Sequence, residues 1–118
     1  MAEREFDYAN ITYFAMVGDG MDNGKSDGIK DGETLVCVPI KSGDLIVGDV
    51  VVVKSSGKVV VGVVDNIGKR FVILSRNNPD FGKANIPTRL SRFYLVLESR
   101  RKRAGAYDGV LICLKGLA

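Results

Sequence analysis

Residues 49–75 read DVVVVKSSGKVVVGVVDNIGKRFVILS, and this stretch decides the fold class. The runs 49–53 (DVVVV) and 58–64 (KVVVGVV) flank Lys54-Ser55-Ser56-Gly57, a short connection ending in glycine. Two β-branched runs joined in this way form a hairpin. Asp65-Asn66-Ile67-Gly68 then supplies a turn, and residues 70–75 (RFVILS) add the third strand of an antiparallel meander. The valine runs are too apolar for strands wetted on one face, so at least one of them is expected to be covered on both sides.

Outward from the meander, further β-rich runs alternate with turn clusters, and helix signals are scarce. Residues 11–17 (ITYFAMV) read as the first strand and residues 33–38 (ETLVCV) as the second, closed by Pro39. Between them, residues 18–32 (GDGMDNGKSDGIKDG) form a loop dense in Gly, Asp, Asn and Ser. Asn77-Asn78-Pro79-Asp80 marks another turn, and residues 93–98 (FYLVLE) a late strand. Residues 110–114 (VLICL) suit either a final strand or a packed tail. No repeat or low-complexity linker interrupts the chain, so residues 1–118 read as one mainly β domain.

The composition narrows the chemistry. At 118 residues and 46% hydrophobic content, the chain can bury a core without disulfides or metals. It has no histidine, which removes Ser-His-Asp and Cys-His catalytic pairs and His-based metal sites. Cys37 and Cys113 are far apart and read as reduced, buried thiols of a cytoplasmic protein. No apolar run reaches the roughly 18 residues of a membrane span. The net charge of +3 is too mild to indicate nucleic acid by itself.

Gly62 interrupts an otherwise continuous valine strand, where glycine weakens β structure. Two readings stay open: a bulge or close backbone approach, or a strand that once presented a side chain there and has lost it.

Gly18-Asp19-Gly20-Met21-Asp22, then Asp31-Gly32, Gly48-Asp49-Val50-Val51-Val52 and Gly57-Lys58-Val59-Val60-Val61 follow one another in order. This set, with Ser75-Arg76-Asn77-Asn78-Pro79-Asp80-Phe81 after it, resembles the LexA and phage-repressor self-cleaving serine peptidases over residues 11–103. The resemblance implies a LexA/signal-peptidase-like β-ribbon domain, with residues 104–118 as a tail or added strand. In that family a serine nucleophile sits between the Asp and the Met of the first motif. A lysine on the strand after the hairpin turn acts, when neutral, as its base. Here those positions are Gly20 and Gly62, so the resemblance implies a catalytically inactive relative, and two glycines favour natural degeneration over an engineered knockout.

The family cuts a linker between a DNA-binding helix-turn-helix and this domain, and only about ten residues precede the first strand here. Neither segment is expected within the chain, and Ala104-Gly105, which looks like a cleavage dipeptide, lies after the domain. The expected role is therefore a self-association or regulatory binding module linked to bacterial or phage transcription. It is expected to need no cofactor or metal and to form a homodimer through residues 93–98 or 110–114.

Three other signals carry alternatives. A displaced Ser26-Lys58 pair would make the chain an active hydrolase. The basic run Arg100, Arg101, Lys102, Arg103 offers candidate phosphate contacts for nucleic acid. Asp19, Asp22, Asn23, Asp27 and Asp31 offer oxygens for calcium but lack EF-hand spacing, and read as a turn-rich loop.

Overall fold

The valine hairpin forms as read, with a tighter turn. Strands β3 (Val50–Ser55) and β4 (Lys58–Ile67) pair from Val50↔Val63 to Ser55↔Lys58. Only Ser56 and Gly57 remain in the loop, at φ 51° and 78°. Positive φ at both central positions twists the turn in the sense that matches the strands.

The computed structural model describes residues 6–18, 20–21, 29–78, 80–103 and 106–108. The other strands are β1 (Thr12–Ala15), β2 (Thr34–Ile40), β5 (Phe71–Ser75), β6 (Ala84–Pro87), β7 (Ser91–Arg103) and β8 (Ala106–Asp108). Seven of them form one antiparallel sheet in the order β1-β2-β7-β3-β4-β5-β6, and β8 pairs with the far end of β7. The domain is mainly β and is built around the expected meander. No helix among the described residues is long and apolar enough to cross a membrane.

Alternation along β3 divides the core. Val50 and Val52 join Met16, Met21, Ile29, Leu35, Cys37 and Val96 on one face. Val51 and Val53 join Val64, Val72, Leu74, Ile86, Phe93 and Leu95 on the other. The four valines of β3 are thus covered on both sides, each contributing about 1.5–3 kcal/mol by burial.

Several expected boundaries are corrected. The first strand is shorter than residues 11–17. Pro39 lies within β2 opposite Tyr94 rather than closing it. β1 covers only residues 34–37 of β2, so among the described residues no strand pairs with Pro39 on that side and a missing donor is tolerated. Asp65-Asn66 is a bulge instead of a turn: the ladder with β5 slips between Val64 and Asn66, and the reversal falls at residues 68–70. Residues 93–95 are not an edge, because β7 there runs between β2 and β3; residues 96–98 pair with β2, and Phe93, Leu95 and Val96 are buried. Residues 110–114 lie outside the described residues.

Candidate functional site

The described residues of the Gly-rich 18–32 stretch are held by its own motif residues. Met16 N–H donates to the Glu33 carbonyl at 2.8 Å, and Gly32 N–H donates to Met16 O at 2.8 Å. The Asp31 carboxylate accepts Gly18 N–H at 2.8 Å, so two pieces of the sequence pattern are joined directly. Gly18 and Gly32 both have φ of 86°, a conformation that favours glycine. Ile29 N–H reaches Met21 O at 2.9 Å, and both side chains plug the first core face. Below the loop, the Glu33 carboxylate is buried and accepts from Lys30 N–H at 2.8 Å and from the Ser99 hydroxyl.

This closure sets Gly20 into a groove of about 330 Å³ between the end of β1 and the first half of β4. Phe14, Val59, Val61, Arg76 and Phe81 contribute to its walls. Gly20 is buried, and its carbonyl accepts Asn78 N–H at 3.0 Å. A Cβ built there would stand 3.6 Å from Arg76 Nη1 and from the Phe81 ring, in ordinary contact. The Nε of Arg76 is buried and has no hydrogen-bond partner among the described residues.

Gly62 is different. It lies opposite Val51 in the ladder, and a Cβ would fall 2.9 Å from both Leu74 Cβ and the Ser75 carbonyl. Contact that close with backbone requires the strands to move, so the close-approach reading accounts for glycine here. Gly62 thus lies against Leu74 and Ser75 at the end of β5, and Gly20 against Arg76, the residue after it.

The groove is bordered by open backbone. β1 pairs only with β2, and β4 pairs with β5 only from Val63 onward, so among the described residues one edge of residues 58–62 has no strand beside it. Asp49, fully buried, braces the other end of the motif set: its carboxylate accepts Ile46 N–H at 2.8 Å and its carbonyl accepts Val64 N–H at 2.8 Å.

The remaining sequence candidates do not converge. Ser26, Asp19, Asp22, Asn23, Asp27, Cys113 and Ala104-Gly105 lie outside the described residues. Lys58 starts β4 at the hairpin tip, about 13 Å along the strand from Gly62. Arg100 pairs with Glu98 at 2.5 Å, while Arg101, Lys102 and Arg103 continue β7 opposite Asp108, Tyr107 and Ala106. No group of three metal-ligating side chains occurs among the described residues. Cys37 is buried, and desolvation pushes its thiol up to about 12.

Arg76 and Phe81 entered the sequence reading only as members of the stretch 75–81 that carries the resemblance, with no role at this site. Comparison with protein families and with curated proteins finds no match to the chain.

Proposed function

We propose that this chain is a catalytically inactive relative of the LexA and phage-repressor C-terminal domains that works as a self-association module in transcriptional regulation. The observation that supports the reading is the groove at Gly20, where, among the described residues, strand edges without a neighbouring strand stand beside one of the two glycines that the resemblance sets at the dyad positions. The strand segment 58–62 holds one charge, Lys58, and the β1 segment Thr12–Ala15 holds none. Edges so lightly charged are templates for another strand. The dimer contact is accordingly assigned to these edges, in place of residues 93–98. Light scattering at micromolar concentration should give the mass of two chains, and Val59→Lys, which adds charge at an exposed edge position, should return one. A single-chain mass at every concentration would reject the reading. The rival reading, a serine hydrolase using Ser26 and Lys58, requires stoichiometric labelling of Ser26 by a serine-directed phosphonate.

A further inference from the structure

Lys54 stands directly opposite Arg92 in the β3–β7 ladder. Like charges at such positions repel and destabilise a sheet. Neither side chain has a carboxylate partner among the described residues. The Lys54 ammonium instead rests over the Phe14 and Tyr94 rings, 5.3 and 5.9 Å from their centroids, and the two rings pack edge to face. The charge is thereby held on the sheet face beside Arg92.

Lys54 and Arg92 line a groove of about 470 Å³ between the hairpin tip and Leu90. Lys58 adds a third cation and Ser55 and Ser56 add hydroxyl groups, with no carboxylate in the lining. Arg92 is shared with a second groove of about 670 Å³ that brings Lys41, Ser42 and Thr88, with Asp7 and Asp44 also in its wall. Lys41 follows Ile40, the partner of Phe93, so it stands beside Arg92 one strand further on. Lys54 and Arg92 lie on adjacent strands and Lys41 just past the end of β2, in the same groove as Arg92, so the three form a row about 10 Å long at the usual strand spacing.

We propose that this row is a phosphate-binding track for a nucleic-acid strand, with Lys54 and Arg92 flanking one phosphate and Lys41 or Lys58 the next. A row of cations set in open, joined grooves fits a continuous polyanion better than one small anion, and bound phosphate would relieve the Lys54–Arg92 repulsion. The surface is separate from the Arg100 to Arg103 run, and the inference does not depend on the self-association reading.

Fluorescence anisotropy with a fluorescein-labelled twelve-residue oligothymidylate, measured over a salt series, tests it. Binding should weaken with salt, with a log–log slope of about −0.7 for each phosphate contacted. The double variant Lys54→Gln/Arg92→Gln should bind at least tenfold more weakly with a flatter slope. Its urea midpoint should stay close to that of the parent, since the removed repulsion offsets the lost contacts of Lys54 with Phe14 and Tyr94. Arg100→Gln/Lys102→Gln should bind like the parent. Unchanged affinity in the first variant, or loss only in the second, would overturn the assignment. So would binding of pyrophosphate or of phosphatidylserine vesicles by a chain that leaves the oligonucleotide free.

Discussion

Gly62 passes so close to Leu74 that a Cβ on the glycine would lie 2.9 Å from the Cβ of the leucine, while at Gly20 the nearest atoms stand at 3.6 Å. The two glycines should therefore respond differently to the same substitution. Gly62→Ala should cost about 1–3 kcal/mol, the usual range for overpacking a core. Gly20→Ala should cost less than about 1 kcal/mol, because its methyl group meets ordinary contacts. Urea unfolding of both variants checks this, and equal midpoints would contradict the geometry.

The same asymmetry bears on any attempt to place a Ser-Lys pair at these two positions. Gly20→Ser should fold and Gly62→Lys should not, since a lysine there must displace Leu74 and the Ser75 carbonyl and bury its amine. Circular dichroism distinguishes them. A folded Gly62→Lys variant would show that the β4–β5 contact yields more readily than its distances imply.

Asp49 is fully buried and takes the Ile46 N–H at 2.8 Å, so the Gly-Asp pair before the valine strand has a structural task. Asp49→Ala leaves that donor without its acceptor and should cost about 1–3 kcal/mol. Asp49→Asn keeps one oxygen and should cost less. Urea midpoints measure both, and an Asp49→Ala chain as stable as the parent would remove the bracing role.

Cys37 gives the fold an alkaline limit. Its thiol is raised from the ordinary value of 9.0 to about 12 by burial. Below about pH 9 the group is protonated in both the folded and the unfolded chain. Between about 9 and 12 only the unfolded chain loses the proton, so stability falls as pH rises through that window. Urea midpoints at pH 8 and 10.5 should show the decline, and Cys37→Ala should flatten it. Thiol reagents should reach Cys37 only on unfolding, and rapid labelling of the native chain at this residue would contradict its burial.

On the proposed reading, which puts Gly20 and Gly62 at the positions of the family's dyad, the purified chain should remain intact when held at about pH 8.5, below the window in which Cys37 weakens the fold. Intact-mass measurement over days should show one species. Discrete fragments that persist in the presence of inhibitors of contaminating proteases would reveal a catalytic group elsewhere.

The meander was legible because valine runs and a glycine turn carry their own signal. The Asp65-Asn66 pair misled because its composition suits a turn, whereas the partner strand at Ile73 and Leu74 holds it as a bulge in a longer β4. β6 was hidden, since Ala84–Pro87 is short and ends in proline, and only pairing with β5 makes it a strand. The length of β7 was hidden too: Arg100 to Arg103 look like a solvated run until β2 and β8 extend the ladder. At the groove, the sequence marked Gly20 and Gly62 as site positions, whereas Arg76 and Phe81 stood only within a motif stretch, because they reach Gly20 from a different part of the chain. The cross-strand repulsion of Lys54 and Arg92 depends on register between residues distant in sequence, which periodicity does not carry.

Hydrogen–deuterium exchange followed over a range of chain concentrations tests the self-association account most directly. Amides of residues 58–62 that point away from β3, and those on the outer edge of Thr12–Ala15, should exchange quickly in dilute solution and become protected as concentration rises into the micromolar range. Val59→Lys should abolish that concentration dependence. Exchange in both segments that is independent of concentration, or protection that rises only elsewhere in the sheet, would contradict pairing through the edges beside Gly20.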